Sequence, residues 1–151
     1  RDVVLSGNAA DLNGGGLYGY HTAGVVLEGV EIVDNEAAGE SGGGMACRYC
    51  DNMVMTGVWF EGNVADADGG GLYLDGCDGL ALANVVASDN LSLGLGGGVY
   101  IGDSDASLTN LRLAGNFASD GGGPPSTTPR SPSRVSSPWA TTRTRTVAVS
   151  C

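Results

Sequence analysis

Phe60-Glu61-Gly62-Asn63-Val64-Ala65-Asp66-Ala67-Asp68-Gly69-Gly70-Gly71-Leu72-Tyr73 holds both marks that recur along this chain, an asparagine and, soon after it, three glycines. The triplets are Gly14-Gly15-Gly16, Gly42-Gly43-Gly44, Gly69-Gly70-Gly71, Gly96-Gly97-Gly98 and Gly121-Gly122-Gly123, spaced by 28, 27, 27 and 25 residues. Asn8, Asn35, Asn63, Asn90 and Asn116 keep step ahead of them. A fixed period in the twenties is the signature of stacked supersecondary units, a solenoid.

Apolar columns appear when each repeat is registered on its asparagine. Three residues before it stand Leu5, Ile32, Phe60, Ala87 and Leu113, and five before it Val3, Val30, Val58, Val85 and Leu111. Leu27, Met55, Leu82 and Leu108 lie eight before, and Ala10, Ala37, Ala65, Ser92 and Ala118 two after. Leu17, Met45, Leu72 and Val99 follow the first four triplets. A spacing of two between columns is the strand period, and no helical period is sustained. Gly29, Gly57, Asn84 and Asn110 share one column and suit a corner with left-handed backbone. The expected fold is all-β, a right-handed parallel β-helix of about 27 residues and three short strands per coil, with four to five coils. In it the asparagines stack as an amide ladder, and the triplets make turns too tight for a Cβ. Phosphate-binding fingerprints do not fit these glycines, because no helix follows them.

Composition breaks at residue 123. All 27 glycines and all 17 acids lie at or before it, and all five prolines lie after it. Residues 1–123 read as the β-helix, and 124–151 as a Ser/Thr/Pro/Arg-rich tail. The tail reads either as a disordered stalk or, the preferred reading, as repeat sequence translated one base out of frame. Shifted by one base, Thr141–Val149 can encode Asp-Asn-Ala-Asp-Ala-Asp-Gly-Gly-Gly, which is close to the Asn63–Gly71 element. The product of a decayed gene is the corresponding third reading of the whole chain. As translated, the tail has no apolar period and is not expected to dock on the last coil. The chain starts inside a repeat, which reads as a segment of a longer solenoid, and no run reaches the roughly 18 apolar residues of a membrane span.

A net charge of −10 and the absence of lysine argue against nucleic acid and anionic membrane surfaces as partners. Cys50 and Cys77 stand six residues after their triplets in consecutive coils. Stacked about 4.8 Å apart, they fall within disulfide range, and a bridge is expected; two free thiols are the alternative. Cys47-Arg48-Tyr49-Cys50 is a C-x-x-C that lacks partners for zinc beyond Cys77 and His21. Asp51, Asp78 and Asp105 form an acidic column flanked by Asp75 and Asp103. It reads first as a solvated turn edge and second as a Ca²⁺ site. The first reading requires no cofactor, and Ca²⁺ is the candidate ion of the second. Tyr18, Tyr73 and Tyr100 alternate with inward residues and are expected as an exposed row, interrupted by Ala46, that either shields strands or stacks on sugars. His21 is the single histidine and reads as a turn residue.

The pairing of Phe60-Glu61-Gly62-Asn63 with Gly70-Gly71-Leu72 resembles the repeats of bacterial polymorphic outer membrane proteins. It is also similar to other β-helical surface proteins and autotransporter passengers. Ile32, Ala87 and Leu113 stand where the motif has Phe. The resemblance implies export to the cell surface and a non-catalytic role in adhesion or envelope interaction, with a glycan or a cell or host surface as partner. The alternative is a Ca²⁺-dependent polysaccharide lyase of the pectate-lyase-like class, with Arg48, Asp51, Asp75 and Asp78 as its candidate catalytic group. The oligomeric state is left open.

Overall fold

The computed structural model describes residues 3–119 and the backbone of 147–149. The described residues form strands and turns only. The first turn of the solenoid contains β1 (Val3–Ser6), β2 (Ala9–Ala10), β3 (Leu17–Tyr20) and β4 (Val26–Glu28). The second contains β5 (Val30–Val33), β6 (Glu36–Ala37), β7 (Met45–Arg48) and β8 (Val54–Thr56). The third contains β9 (Trp59–Glu61), β10 (Val64–Ala65), β11 (Leu72–Asp75) and β12 (Leu80–Ala83). The fourth contains β13 (Val86–Ser88), β14 (Leu91–Ser92), β15 (Val99–Gly102) and β16 (Ala106–Thr109), followed by β17 (Arg112–Ala114) and β18 (Phe117–Ala118).

Each turn therefore has four strands, one more than the sequence suggests. The extra one is the two-residue strand after each ladder asparagine. Equivalent strands of successive turns pair in parallel, giving an all-β parallel β-solenoid of about four turns with four sheets. The register joins Leu5 to Ile32, Ile32 to Phe60, Phe60 to Ala87 and Ala87 to Leu113, so each apolar column becomes a stack. Ile32, Phe60 and Ala87 are fully buried, with Met45, Leu72, Val99, Met55 and Leu82 closing the core from the other walls. Burying each large side chain contributes about 1.5–3 kcal/mol. Val3 occupies an inward column but is 45% exposed, because among the described residues no turn lies beneath it.

The tail adds β19 (Val147–Val149), which runs antiparallel along β15 and pairs Val99 with Val149. The expectation that the tail does not dock is corrected for these three residues: β15 presents a free edge, and an extended segment with backbone groups to pair can use it. Gly121-Gly122-Gly123 and the out-of-frame reading of the remaining tail lie outside the described residues.

The asparagine column hydrogen-bonds along the stack. Asn8, Asn35, Asn63 and Asn90 each donate Nδ2–H and backbone N–H to Oδ1 of the asparagine one turn later, at 2.8–3.0 Å. Asn35, Asn63, Asn90 and Asn116 also donate Nδ2–H to the carbonyls of Leu5, Ile32, Phe60 and Ala87, at 2.8–2.9 Å. A buried carboxamide is tolerated because each of its polar atoms has a partner. A second ladder runs beside the third sheet: Cys50 N–H donates to Cys77 Sγ at 3.1 Å, and Cys77 N–H to Ser104 Oγ at 2.9 Å. Thr22 Oγ1–H donates to Cys50 Sγ at 3.1 Å.

The glycine triplets allow neighbouring turns to touch backbone to backbone. A Cβ on Gly70 would run into the carbonyl oxygens of Leu91 and Gly97, and one on Gly71 would lie 3.1 Å from the Asn90 carboxamide. Gly69 has φ +64°, the left-handed region. Two stability contrasts follow. Asn63→Ala should lose on the order of 3–5 kcal/mol in chemical denaturation, because several buried partners are left unpaired. Gly70→Ala should cost more than about 3 kcal/mol, whereas Gly24→Ala, with φ +69° but nothing within 4 Å of the added Cβ, should cost about 1 kcal/mol.

Candidate functional site

The outward face of the third sheet carries the densest group of aromatic side chains. β3 turns Tyr18 and Tyr20 outward, and the chain then bends at His21; β7 bends one turn later at Tyr49. His21 and Tyr49 occupy the left-handed region, with φ 49° and 55°. The same corner is occupied by Gly76 and Asp103 in the next two turns. Glycine and aspartate adopt this backbone readily and histidine is enriched in it, whereas the bulky Tyr49 there costs about 1–2 kcal/mol. The rings form a connected ledge. His21 stacks on Tyr49 at 5.0 Å, Tyr20 meets His21 edge-on at 4.3 Å and Tyr49 at 5.9 Å, and Tyr18 lies 6.5 Å from Tyr20. The Tyr49 ring lies over Gly76, where a Cβ would come within 2.7 Å of it. Tyr18, Tyr20 and Tyr49 remain about half exposed.

Tyr73 departs from the expected exposed row. It points outward from β11 but is only 6% exposed. The Tyr100 ring covers one side, parallel at 4.9 Å, and Arg48 Cζ stands 5.3 Å from its centroid. Alternation set its direction correctly, but neighbouring turns supply the cover. Tyr100 is half-buried in the same stack. Burial pushes the Tyr73 hydroxyl up to about 12, with the Asp75 charge adding and Arg48 opposing.

The acidic column is in register but its carboxylates do not converge. Asp51 and Asp78 are exposed, and Asp51 Oδ1 accepts the backbone N–H of Asp78 at 3.0 Å. Asp105 and Asp75 are half-buried, and Asp103 is an exposed corner residue with φ 41°. Among the described residues no group of three or more His, Cys, Asp or Glu is placed to hold a metal ion. Arg48 pairs across the sheet with Asp75 in register, but its ion pair is with Glu40 at 3.7 Å. Arg48 Nε is buried without a hydrogen-bond partner, a cost that the face of the Tyr73 ring offsets. Arg48, Asp51, Asp75 and Asp78 are thus neighbours along one edge rather than a constellation around one point.

Cys47, Cys50 and Cys77 are buried free thiols, so the expected Cys50–Cys77 bridge is not formed in the structure. The physical reason is the second ladder: Cys77 Sγ is aimed at the backbone N–H of Cys50, and Cys50 Sγ receives the Thr22 hydroxyl. Burial raises the thiol pKa of both Cys47 and Cys77, with the charge of Cys50 adding in each case, so neither is an activated nucleophile.

No family model, curated protein or solved structure matches the chain. Sequence reasoning does not group Tyr20, His21 and Tyr49. A signal existed: His21 and Tyr49 share their offset after the triplet with Gly76 and Asp103. Thr22 and Ser104 likewise share their offset after the triplet with Cys50 and Cys77.

The raised Tyr73 hydroxyl links stability to pH. The native state favours the protonated phenol, so its contribution is fully present below the unfolded tyrosine value near 10 and is lost as pH rises towards 12. Tyr73→Phe should therefore unfold less steeply between about pH 10 and 12 than the parent, as followed by circular dichroism at fixed temperature.

Proposed function

We propose that the chain is a non-catalytic segment of a secreted or cell-surface solenoid, of the kind found in polymorphic outer membrane proteins and autotransporter passengers, and that it presents a binding face to glycans or cell-envelope surfaces. The observation that carries this reading is where the turns differ. Their buried columns repeat, turn after turn, as ladders and apolar stacks. Outward positions such as the corner His21, Tyr49, Gly76 and Asp103 change from turn to turn, and an exposed aromatic ledge appears on one face. A rigid scaffold with variable exposed positions is the usual arrangement of a recognition surface. The sequence resemblance between Phe60–Asn63 with Gly70–Leu72 and such surface repeats supports export.

A Ca²⁺-dependent lyase needs its base and its carboxylates around one bond. Arg48 is engaged by Glu40 and the Tyr73 ring, and Asp51 by the backbone of Asp78, which favours the non-catalytic reading. The test uses the full chain immobilised on beads. Saturable attachment to cell-envelope preparations is expected, with polygalacturonate recovered at unchanged length after incubation with and without Ca²⁺. Ca²⁺-dependent shortening of the polymer, or no attachment to any envelope preparation, would overturn the proposal.

A further inference from the structure

We infer that the ledge of Tyr18, Tyr20, His21 and Tyr49 is a docking surface for a neutral polysaccharide; the inference rests on the reading of the chain as a surface-binding solenoid. The first ground is a left-handed corner, strained at Tyr49, whose ring packs only on other surface groups of the ledge and on Gly76 rather than in the core. His21 and Tyr49 hold a left-handed corner that the next two turns assign to Gly76 and Asp103, yet their rings stay at the surface. Strained backbone positions persist where surrounding structure enforces them, and they cluster at functional sites. Gly76 provides the flat floor on which the Tyr49 ring rests, so the stack is held in place before any ligand arrives.

Chemistry selects the ligand. A tyrosine offers a flat apolar face and a hydroxyl that donates and accepts, which matches a pyranose with its C–H face and hydroxyl rim. The ledge spans two successive turns, so it suits a chain of sugars better than a single ring. Charge excludes an anionic polymer: Arg48 and Arg112 are the only basic residues other than histidine between residues 3 and 119, and Arg48 is already taken by Glu40 and Tyr73. An aromatic cage around a quaternary ammonium needs an open centre between rings, and His21 stands against its neighbours at 4.3 and 5.0 Å between centroids, so these rings form a ledge and not a cage.

The experiment is native gel electrophoresis of the full chain in gels cast with laminarin, hydroxyethylcellulose or polygalacturonate. Retardation is expected in at least one of the two neutral polymers and not in polygalacturonate. The variants are His21→Gly with Tyr49→Gly, which places glycine at two positive-φ corners. This pair should keep or raise Tm while weakening retardation by roughly tenfold or more in apparent Kd. A purely structural role for the rings predicts the reverse, a lower Tm with retardation intact. Should the double variant fail to fold, Tyr20→Ala carries the same expectation from an exposed strand position.

Retardation unchanged in the folded variants removes the ledge as the site but leaves surface binding elsewhere on the solenoid. Retardation only by polygalacturonate, none by any polymer, or retardation abolished by phosphocholine overturns the inference. Shortening of the polygalacturonate would instead sink the non-catalytic reading beneath it.

Discussion

A carboxamide buried in a β-core is costly unless every polar atom it carries is bonded, and the rest of this solenoid is arranged around meeting that demand. Asn63 accepts from Asn35, donates to Asn90 and reaches back to the Ile32 carbonyl. These bonds require successive turns to be in register to within a fraction of an ångström. The register in turn places Ile32, Phe60 and Ala87 over one another. Gly16, Gly44, Gly71 and Gly98, third in their triplets, then have no room for a side chain, because the next asparagine and, for the first three, the next turn's glycine carbonyl occupy that space. Ladder, apolar stack and glycine triplet are three aspects of a single geometric condition.

That condition explains which features the sequence makes legible. Asparagine and glycine recur because every turn must satisfy the same contacts, so the period and the inward columns are visible without coordinates. The two-residue strands such as Val64–Ala65 are not visible, since two residues cannot display an alternation. Tyr73 shows a different limit. Its outward direction follows from its place next to Leu72, but its burial depends on Arg48 of one neighbouring turn and Tyr100 of the other.

The candidate site is less legible still. The ledge depends on corners whose backbone conformation a sequence does not announce when aromatic residues fill them. The cysteines teach a related point: vertical spacing made a bridge between Cys50 and Cys77 plausible, whereas the direction of each Sγ is determined by which N–H it satisfies. Stacking says which residues are neighbours; hydrogen-bond demand says how they face.

The amide ladder also has a direction. One Nδ2–H of each of Asn8, Asn35, Asn63 and Asn90, with the backbone N–H, points to the following turn. The Oδ1 of Asn35, Asn63, Asn90 and Asn116 accepts from the preceding one, so the amide-to-amide ladder has a donor-to-acceptor direction. Two such stacks match each other only head to tail. Head-to-tail matching is a heterologous relation, the kind that generates open fibres rather than a closed two-fold pair.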